Sequence, residues 1–323
     1  MKTGVTIFFV LFTSFYCLGS SIAQEIDYPT KPIEIMVGYA PGAGTDLGTR
    51  MVADISKKSL GQEVIVSNKP GGGGRVALTL VAKAKPDGYS LAAVPDGPII
   101  LMPHLEAVPY KIQDFTFISQ FGVLDVGVVV LPDSPFHTFK ELTEFARANP
   151  DKLTISTPGV GTTNHVAFQA FSLLEGLKIK LVPFSGANPA VTALLGGHVM
   201  VASTSTSGYS THLKAKKVRL LAVIGDERME DYPDAPTLKE LGYPLVFQSW
   251  YVIVGPKNME KAIVKKLGEV FKKSVETPAF IKLAKDLEMW TKTPLQGDEL
   301  KERVIQRNAK YEELFRKLGM GVK

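Results

Sequence analysis

Thiols are nearly absent from this chain: 323 residues include a single cysteine, Cys17. It lies inside the apolar stretch Val5 to Leu18, which follows the basic Lys2 and precedes a small-x-small site at Ser21-Ile22-Ala23. This layout predicts an export signal over residues 1–23, with Gln24 as the first mature residue. The run falls short of the roughly 20 apolar residues that span a bilayer, so removal is expected rather than anchoring. A lipid anchor on Cys17 is disfavoured because Tyr16, not a small residue, precedes it. Cleavage near Ala23 removes the thiol. A disulfide framework, a thiolate metal site and a cysteine nucleophile are then all excluded, and stability must come from a large apolar core.

Other shortages narrow the chemistry further. The five histidines, His104, His137, His165, His198 and His212, show no His-x-x-x-His spacing, so no metal site or cofactor is expected. No Gly-x-Ser-x-Gly elbow marks a nucleophilic serine. No second long apolar run suggests a membrane span. Charge of one sign is not concentrated either: the net charge is +5, and the basic pairs Lys57-Lys58, Lys216-Lys217 and Lys272-Lys273 are scattered. They read as solvated helix faces rather than a nucleic-acid surface. A mild positive field still favours the approach of a small anion.

Glycine, by contrast, is plentiful, with 29 residues. Two glycine loops each separate a short apolar strand from a helix start. The first is Tyr39-Ala40-Pro41-Gly42-Ala43-Gly44-Thr45-Asp46; the second is Thr157-Pro158-Gly159-Val160-Gly161-Thr162-Thr163-Asn164. Such loops direct unpaired backbone N–H groups and a helix dipole at whatever lies beside them, which favours an anion. Glycine also lets the backbone approach a ligand closely. Two matched loops suggest one anionic ligand held from both sides.

Tyr39 is placed to line such a cleft. His165, one residue beyond the second loop, is a candidate donor or a packing residue. Asp46 would repel an anion directly, so it is assigned to capping, to orienting loop amides or to accepting from a ligand donor, with Arg50 one turn on as its partner. Ser203 and Thr204 open a polar run to Ser210, read as a loop reaching the ligand's distal end. Trp250 is a further aromatic candidate, for the cleft or for packing. Nucleotide patterns fail: the first loop lacks the third glycine of a dinucleotide fingerprint, and Gly71–Gly74 is followed by Arg75-Val76 rather than Gly-Lys-Ser/Thr.

From residue 33 short β-rich runs alternate with helical segments, which predicts an α/β fold with largely parallel sheets. Thr45 or Asp46 is expected to cap the helix after the first loop, Pro189 to open another, and Thr138 with Glu141 to form a capping box. Strand–loop–helix positions in the first half find counterparts in the second, giving two similar lobes. The expected division is residues 24–122 plus 250–323 for one lobe and 123–249 for the other, with crossovers near 119–131 and 224–254. About 300 mature residues suit two domains. Two crossovers between two lobes describe a hinged molecule with an interdomain cleft.

Several motifs in this order resemble the substrate-binding proteins of tripartite tricarboxylate transporters, the Bug receptor family. They are Tyr-Pro-x-Lys-Pro-Ile at 28–33, Pro-Gly-Ala-Gly-Thr-Asp at 41–46 with Arg50, and Asn-Lys-Pro-Gly-Gly-Gly-Gly at 68–74. Pro-Asp-Gly-Tyr-Ser-Leu at 86–91, Asp-Phe-Thr-Phe-Ile at 114–118, Leu-Leu-Gly-Gly-His-Val at 194–199, Ala-Pro-Thr-Leu-Lys-Glu-Leu-Gly at 235–242 and the Trp250 segment continue the match.

The resemblance implies a two-lobed, type II Venus-flytrap periplasmic binding protein. It also implies that main-chain and small polar groups of the two loops hold a ligand carboxylate, often through water. The expected protein is a monomeric periplasmic receptor that hands a small organic carboxylate to membrane transporter subunits and carries out no catalysis. The alternatives are an exported hydrolase of a small carboxylate ester or amide, and a receptor feeding a sensor kinase. Two positions depart from the family pattern: Met200 stands where Asp is usual, and Arg75 replaces a small polar residue and is expected to add charge at the cleft rim.

Overall fold

The computed structural model describes residues 27–289 and 294–321; the export-signal reading of residues 1–23 lies outside them. Strands are β1 (Ile33–Val37), β2 (Val64–Asn68), β3 (Ser90–Pro95), β4 (Phe115–Val130), β5 (Thr154–Thr157), β6 (Lys180–Pro183), β7 (Val201–Ser205), β8 (Arg219–Val223) and β9 (Gln248–Pro256). Helices in the first half are α1 (Gly44–Leu60), α2 (Arg75–Ala82), α3 (Gly97–Ile100) and α4 (Met102–Leu105). Then come α5 (Phe139–Ala148), α6 (Thr163–Glu175), α7 (Ala187–Leu195) and α8 (Thr206–Lys214). The C-terminal part is helical, with α9 (Lys261–Val275), α10 (Pro278–Asp286) and α11 (Gly297–Leu318).

The strand order is β2-β1-β3-β9-β4-β7-β5-β6, with β8 also paired to β4. β1 pairs in parallel with β2 and β3, and β5 does so with β6 and β7. The expectation of largely parallel sheets holds only for these outer strands. Every ladder made by β4 or β9 is antiparallel, because these two strands carry the chain in opposite directions between the halves. The first part of β4, to Asp125, pairs with β9, and from Val126 onward it pairs with β7 and β8. One long strand is thus shared by both halves.

Burial follows the two sheet faces. Ile33, Ile35 and Val37 of β1 pack with Val52 of α1 and with Phe271 and Phe280 of α9 and α10. The other large cluster runs from β3 through β4 to Phe139, Phe168 and Phe171, and α11 lies across it with Leu300, Val304, Tyr311 and Phe315. Each fully buried phenylalanine contributes about 2–3 kcal/mol of apolar transfer.

Local punctuation accounts for several boundaries. Thr138 and Glu141 form a reciprocal capping box on α5. Gly61 closes α1 and Gly176 closes α6, both in the left-handed conformation that only glycine adopts freely. Three expectations need correction. α1 begins at Gly44 after Ala43, which has no capping side chain, so Thr45 and Asp46 are its second and third residues. α7 begins at Ala187, placing Pro189 third, where its missing N–H is still harmless. The polar run from Ser203 is the buried end of β7 followed by α8, because pairing of Ser203, Thr204 and Ser205 with β4 overrides their polarity.

Candidate functional site

The first glycine loop is held open by a buried carboxylate. Asp46 reaches back to accept from the Gly42 N–H (2.9 Å) and from Asn68 Nδ2 (2.8 Å), while Arg50 donates to it (3.1 Å). Asn68 Nδ2 also donates to the Tyr39 carbonyl, and Arg50 closes the ring by donating to Asn68 Oδ1. Burial alone would raise the Asp46 carboxyl, but the hydrogen bonds from Arg50, Gly42 and Asn68 and the Arg50 charge outweigh it and hold it below the usual range. Asp46 is therefore ionised and satisfied from its own side, and it shapes the loop without facing an anion. The Gly42 amide is engaged here, and Pro41 and Gly42 are exposed.

Beside this loop lies a narrow cavity with about 350 Å³ of empty space, its mouth included. Ala43 and Thr45 line it from the start of α1, and Thr162, Thr163 and Asn164 from the start of α6. Ala187 is the first residue of α7 and Ser205 immediately precedes α8. Four helix N-termini thus meet at one cavity. Tyr39, Pro95, Pro158, Ser249 and Tyr251 complete the wall, and among the described residues no Lys, Arg, His, Asp or Glu lines it. The helix ends supply the positive potential here, about half a unit charge each.

The polar groups at the cavity differ in how far they are engaged. Thr162 Oγ1 donates to the Gly159 carbonyl (2.7 Å), and the Tyr39 hydroxyl donates to the Gly73 carbonyl (2.7 Å). Ser205 and Ser207 hydroxyls lie 3.1 Å apart, and Ser207 lies 3.3 Å from the Tyr251 hydroxyl. By contrast, Thr163 Oγ1 and Asn164 Nδ2 are buried without a hydrogen-bond partner. A buried unpaired donor costs about 1–3 kcal/mol. Two of them lie on the first turn of α6, in the cavity wall.

The two halves close on each other around the cavity. Ala40 N–H donates to the Ser185 carbonyl (3.4 Å), and Asn188 Nδ2 donates to the Gly42 carbonyl (2.9 Å). A Cβ on Gly44 would collide with Ser207, and one on Gly159 would come within 2.9 Å of Gly73. A Cβ on Gly161 would lie 2.8 Å from Met102 Cγ. These glycines permit the approach of the two loops to the opposite wall.

Other expected site residues sit elsewhere. Val160 is exposed at the rim of a second cavity, shared with Gly159, Tyr39 and Gly71–Gly73. His165 points away from the cleft: its Nδ1 lies 3.1 Å from Thr157 Oγ1, and its ring lines an outer groove with Gln169 and Leu173. Burial pushes its pKa down to about 4, which favours the neutral imidazole at neutral pH. Ser203 and Thr204 are interior to β7, and it is Ser205, next along, that reaches the cavity.

Trp250 lies under the Arg307 guanidinium, 4.3 Å from the ring centroid, and away from the cavity. Arg75 pairs with Glu106 at 3.4 Å. The Met200 N–H donates to Thr154 Oγ1 ahead of β7 and its side chain packs on the core, so this departure from the family pattern does not touch the cavity. The cavity residues that the sequence reading missed are Pro95, Ala187, Ser249 and Tyr251; Ser205 was reached as part of the polar run from Ser203. On β9, the alternation Ser249, Tyr251 was a usable signal, since residues two apart share a face.

Fold and cavity together define a two-lobed periplasmic binding protein. The solved periplasmic binding protein BugD shares the fold with a TM-score of 0.83 and 28% identity, over 92% of this chain and 100% of that one. The chain belongs to the tripartite tricarboxylate transporter family receptors (TctC), whose family model matches residues 49–320. It is thus a solute-binding receptor of that transport system. A UPF0065 protein in the gbd 5' region of Cupriavidus necator is 35% identical over 92% of this chain and 90% of its own length. MatC from Rhodopseudomonas palustris, solved with bound malate, also shares the fold, with a TM-score of 0.82 and 24% identity over 89% of this chain and 99% of its own. Among the described residues, no helix is long and apolar enough to cross a membrane.

Proposed function

We propose that this receptor binds a small organic carboxylate between its lobes in the periplasm and, as a monomer without catalytic activity, delivers it to the membrane subunits of a tripartite tricarboxylate-type transporter. The observation that carries the reading is the convergence of α1, α6, α7 and α8 N-termini on a cavity that no basic side chain among the described residues lines. The Thr163 hydroxyl and Asn164 amide, with the adjacent free N–H groups, receive the carboxylate oxygens; Tyr39, Ser205 and Tyr251 bound the rest. The lobes divide as residues 24–122 plus 250–323 and 123–249, a division supported by the change of partners along β4.

Among the described residues no nucleophile–base pair lines the cavity, which favours binding over turnover of an ester or amide. A thermal-shift screen of mono-, di- and tricarboxylates tests the reading. At one hundred times Kd, a ligand should stabilise the protein by about 2.7 kcal/mol, equivalent to about 5 °C. A screen in which a neutral sugar or a cation raises the melting temperature, and no carboxylate does, would overturn it. Release of an alcohol or amine from a bound ester or amide would overturn the non-enzymatic part.

A further inference from the structure

Opposite the glycine loops, α8 is gripped at both ends by one residue from beyond α10. Glu288 follows the Leu287 turn and sits at φ 51°, in the left-handed region that a side chain other than glycine rarely adopts. Its backbone carbonyl accepts from Thr206 Oγ1 at 3.2 Å, at the first residue of α8. Its carboxylate lies 3.0 Å from Lys214 Nζ, at the last residue of α8, and accepts from the Tyr232 hydroxyl at 3.2 Å. The Glu288 side chain is 5% exposed, and its second oxygen, Oε2, is buried without a hydrogen-bond partner.

This arrangement bridges the two halves. α10 packs on α1 and α9, whereas α8 packs on α7, β4 and β7. Neither Glu288 nor Lys214 lines the cavity, but Ser205, which precedes the gripped Thr206, does. A strained backbone, a nearly buried carboxylate and contacts to three separate side chains are costly to assemble on a turn. Such features persist where the surrounding structure imposes them, and they cluster at clamps and switches. The Tyr232 hydroxyl is pushed up to about 12 by burial and then by the Glu288 charge, so it remains a donor at neutral pH.

We propose that Glu288 is a positioning residue that clasps α8 to the α10 side of the cleft, holding the lobes together and the Ser205 end of α8 against the ligand cavity. The inference rests on the two-lobe division above but not on the identity of the ligand. Glu288 touches no ligand; it acts through α8. Opening the lobes breaks its contacts together, so the clasp weights the closed state.

Interlobe distance in the ligand-free protein tests this. In the chain from Gln24, which has no cysteine of its own, fluorophores on Lys58→Cys in α1 and Lys140→Cys in α5 report lobe separation by single-molecule energy transfer. Glu288→Gln keeps the shape and removes the charge; it should lower the ratio of closed to open molecules by about three- to tenfold. Lys214→Met should lower it further than the Glu288→Gln/Lys214→Met double variant, because the single change leaves a buried carboxylate unpaired. Tyr232→Phe, which leaves the ion pair intact, serves if Glu288→Gln folds poorly and should shift the ratio about twofold. An unchanged distance distribution in Glu288→Gln, or in Tyr232→Phe, would overturn the proposal. So would a lowered melting temperature with no change in distance, the signature of a purely structural role. Failure of the carboxylate reading would appear in the thermal-shift screen and leave this readout untouched.

Discussion

Replacing Gly44 by alanine separates the folding of the lobes from their closure. Gly44 is the first residue of α1 and has no left-handed φ, so alanine fits its backbone and keeps its N–H. Helix propensity favours alanine by up to about 1 kcal/mol, less at a terminus. The new methyl, however, would collide with Ser207 Cβ and sit 2.5 Å from Ser207 Oγ and 3.2 Å from the Tyr251 hydroxyl. Ordinary contacts begin near 3.4 Å, so the start of α8 must retreat by about 1 Å, a shift of the overpacking kind that costs about 1–3 kcal/mol. Ser207 comes from the opposite half, and that cost therefore falls on the closed state alone. The expected result is a Kd weakened about 5- to 150-fold, with the ligand-free melting temperature unchanged or slightly raised. Titration calorimetry with the carboxylate giving the largest thermal shift, alongside a ligand-free melt, measures both. Unaltered affinity in Gly44→Ala would refute the closed-cavity geometry.

Two further changes probe the cavity and its rear wall. Thr163→Val removes a buried hydroxyl that has no protein partner, so it should weaken carboxylate binding about tenfold while the ligand-free protein melts no lower than the wild type; equal affinities by calorimetry would rule out that hydroxyl as a ligand contact. His165 has its folded pKa lowered from 6.5 to about 4, so between those values the unfolded chain binds more protons and stability falls as pH is lowered. The loss approaches about 3 kcal/mol at the acid end. His165→Gln should flatten that slope in urea unfolding between pH 7 and 4.5, and parallel slopes would show that His165 is not the buried neutral group responsible.

The features legible in the sequence are those decided within a few residues. The glycine loops, the Thr138–Glu141 capping box and the long apolar run that becomes β4 depend on local backbone preference and apolar continuity. Asp46 was legible for a related reason: a carboxylate three residues into a helix has backbone amides and Arg50 within reach, whatever the rest of the fold does. The end of β7 was not. Ser203-Thr204-Ser205 has the composition of a loop, and only its pairing with Val126–Val128 makes it a strand. The wall residues Ser249 and Tyr251 were hidden differently, since β9 reaches the cavity through a crossover from far along the chain. His165 shows the limit of adjacency on a helix: Thr163 and Asn164 face the cavity, but the next residue has turned to the outer groove.

The charge logic of the cavity also bears on how such a receptor can release what it binds. An arginine would carry its full charge into the open state and hold a carboxylate there. Helix N-termini differ: their effect is confined to the first turn and is screened when water covers them. In the open state the α1 end on one lobe is parted from the α6, α7 and α8 ends on the other, and water covers them all, so an anion is attracted weakly. Closure brings them to one narrow cavity, removes water and leaves the Thr163 and Asn164 donors requiring a partner. The interaction therefore strengthens chiefly in the closed state, and that differential affinity is what allows a ligand to drive closure. Reversal needs only that the lobes part, without breaking a buried ion pair between ligand and protein. On this argument, introducing a basic side chain at the cavity, as in Ser249→Arg, should tighten binding to the open form and reduce the ligand's effect on interlobe distance.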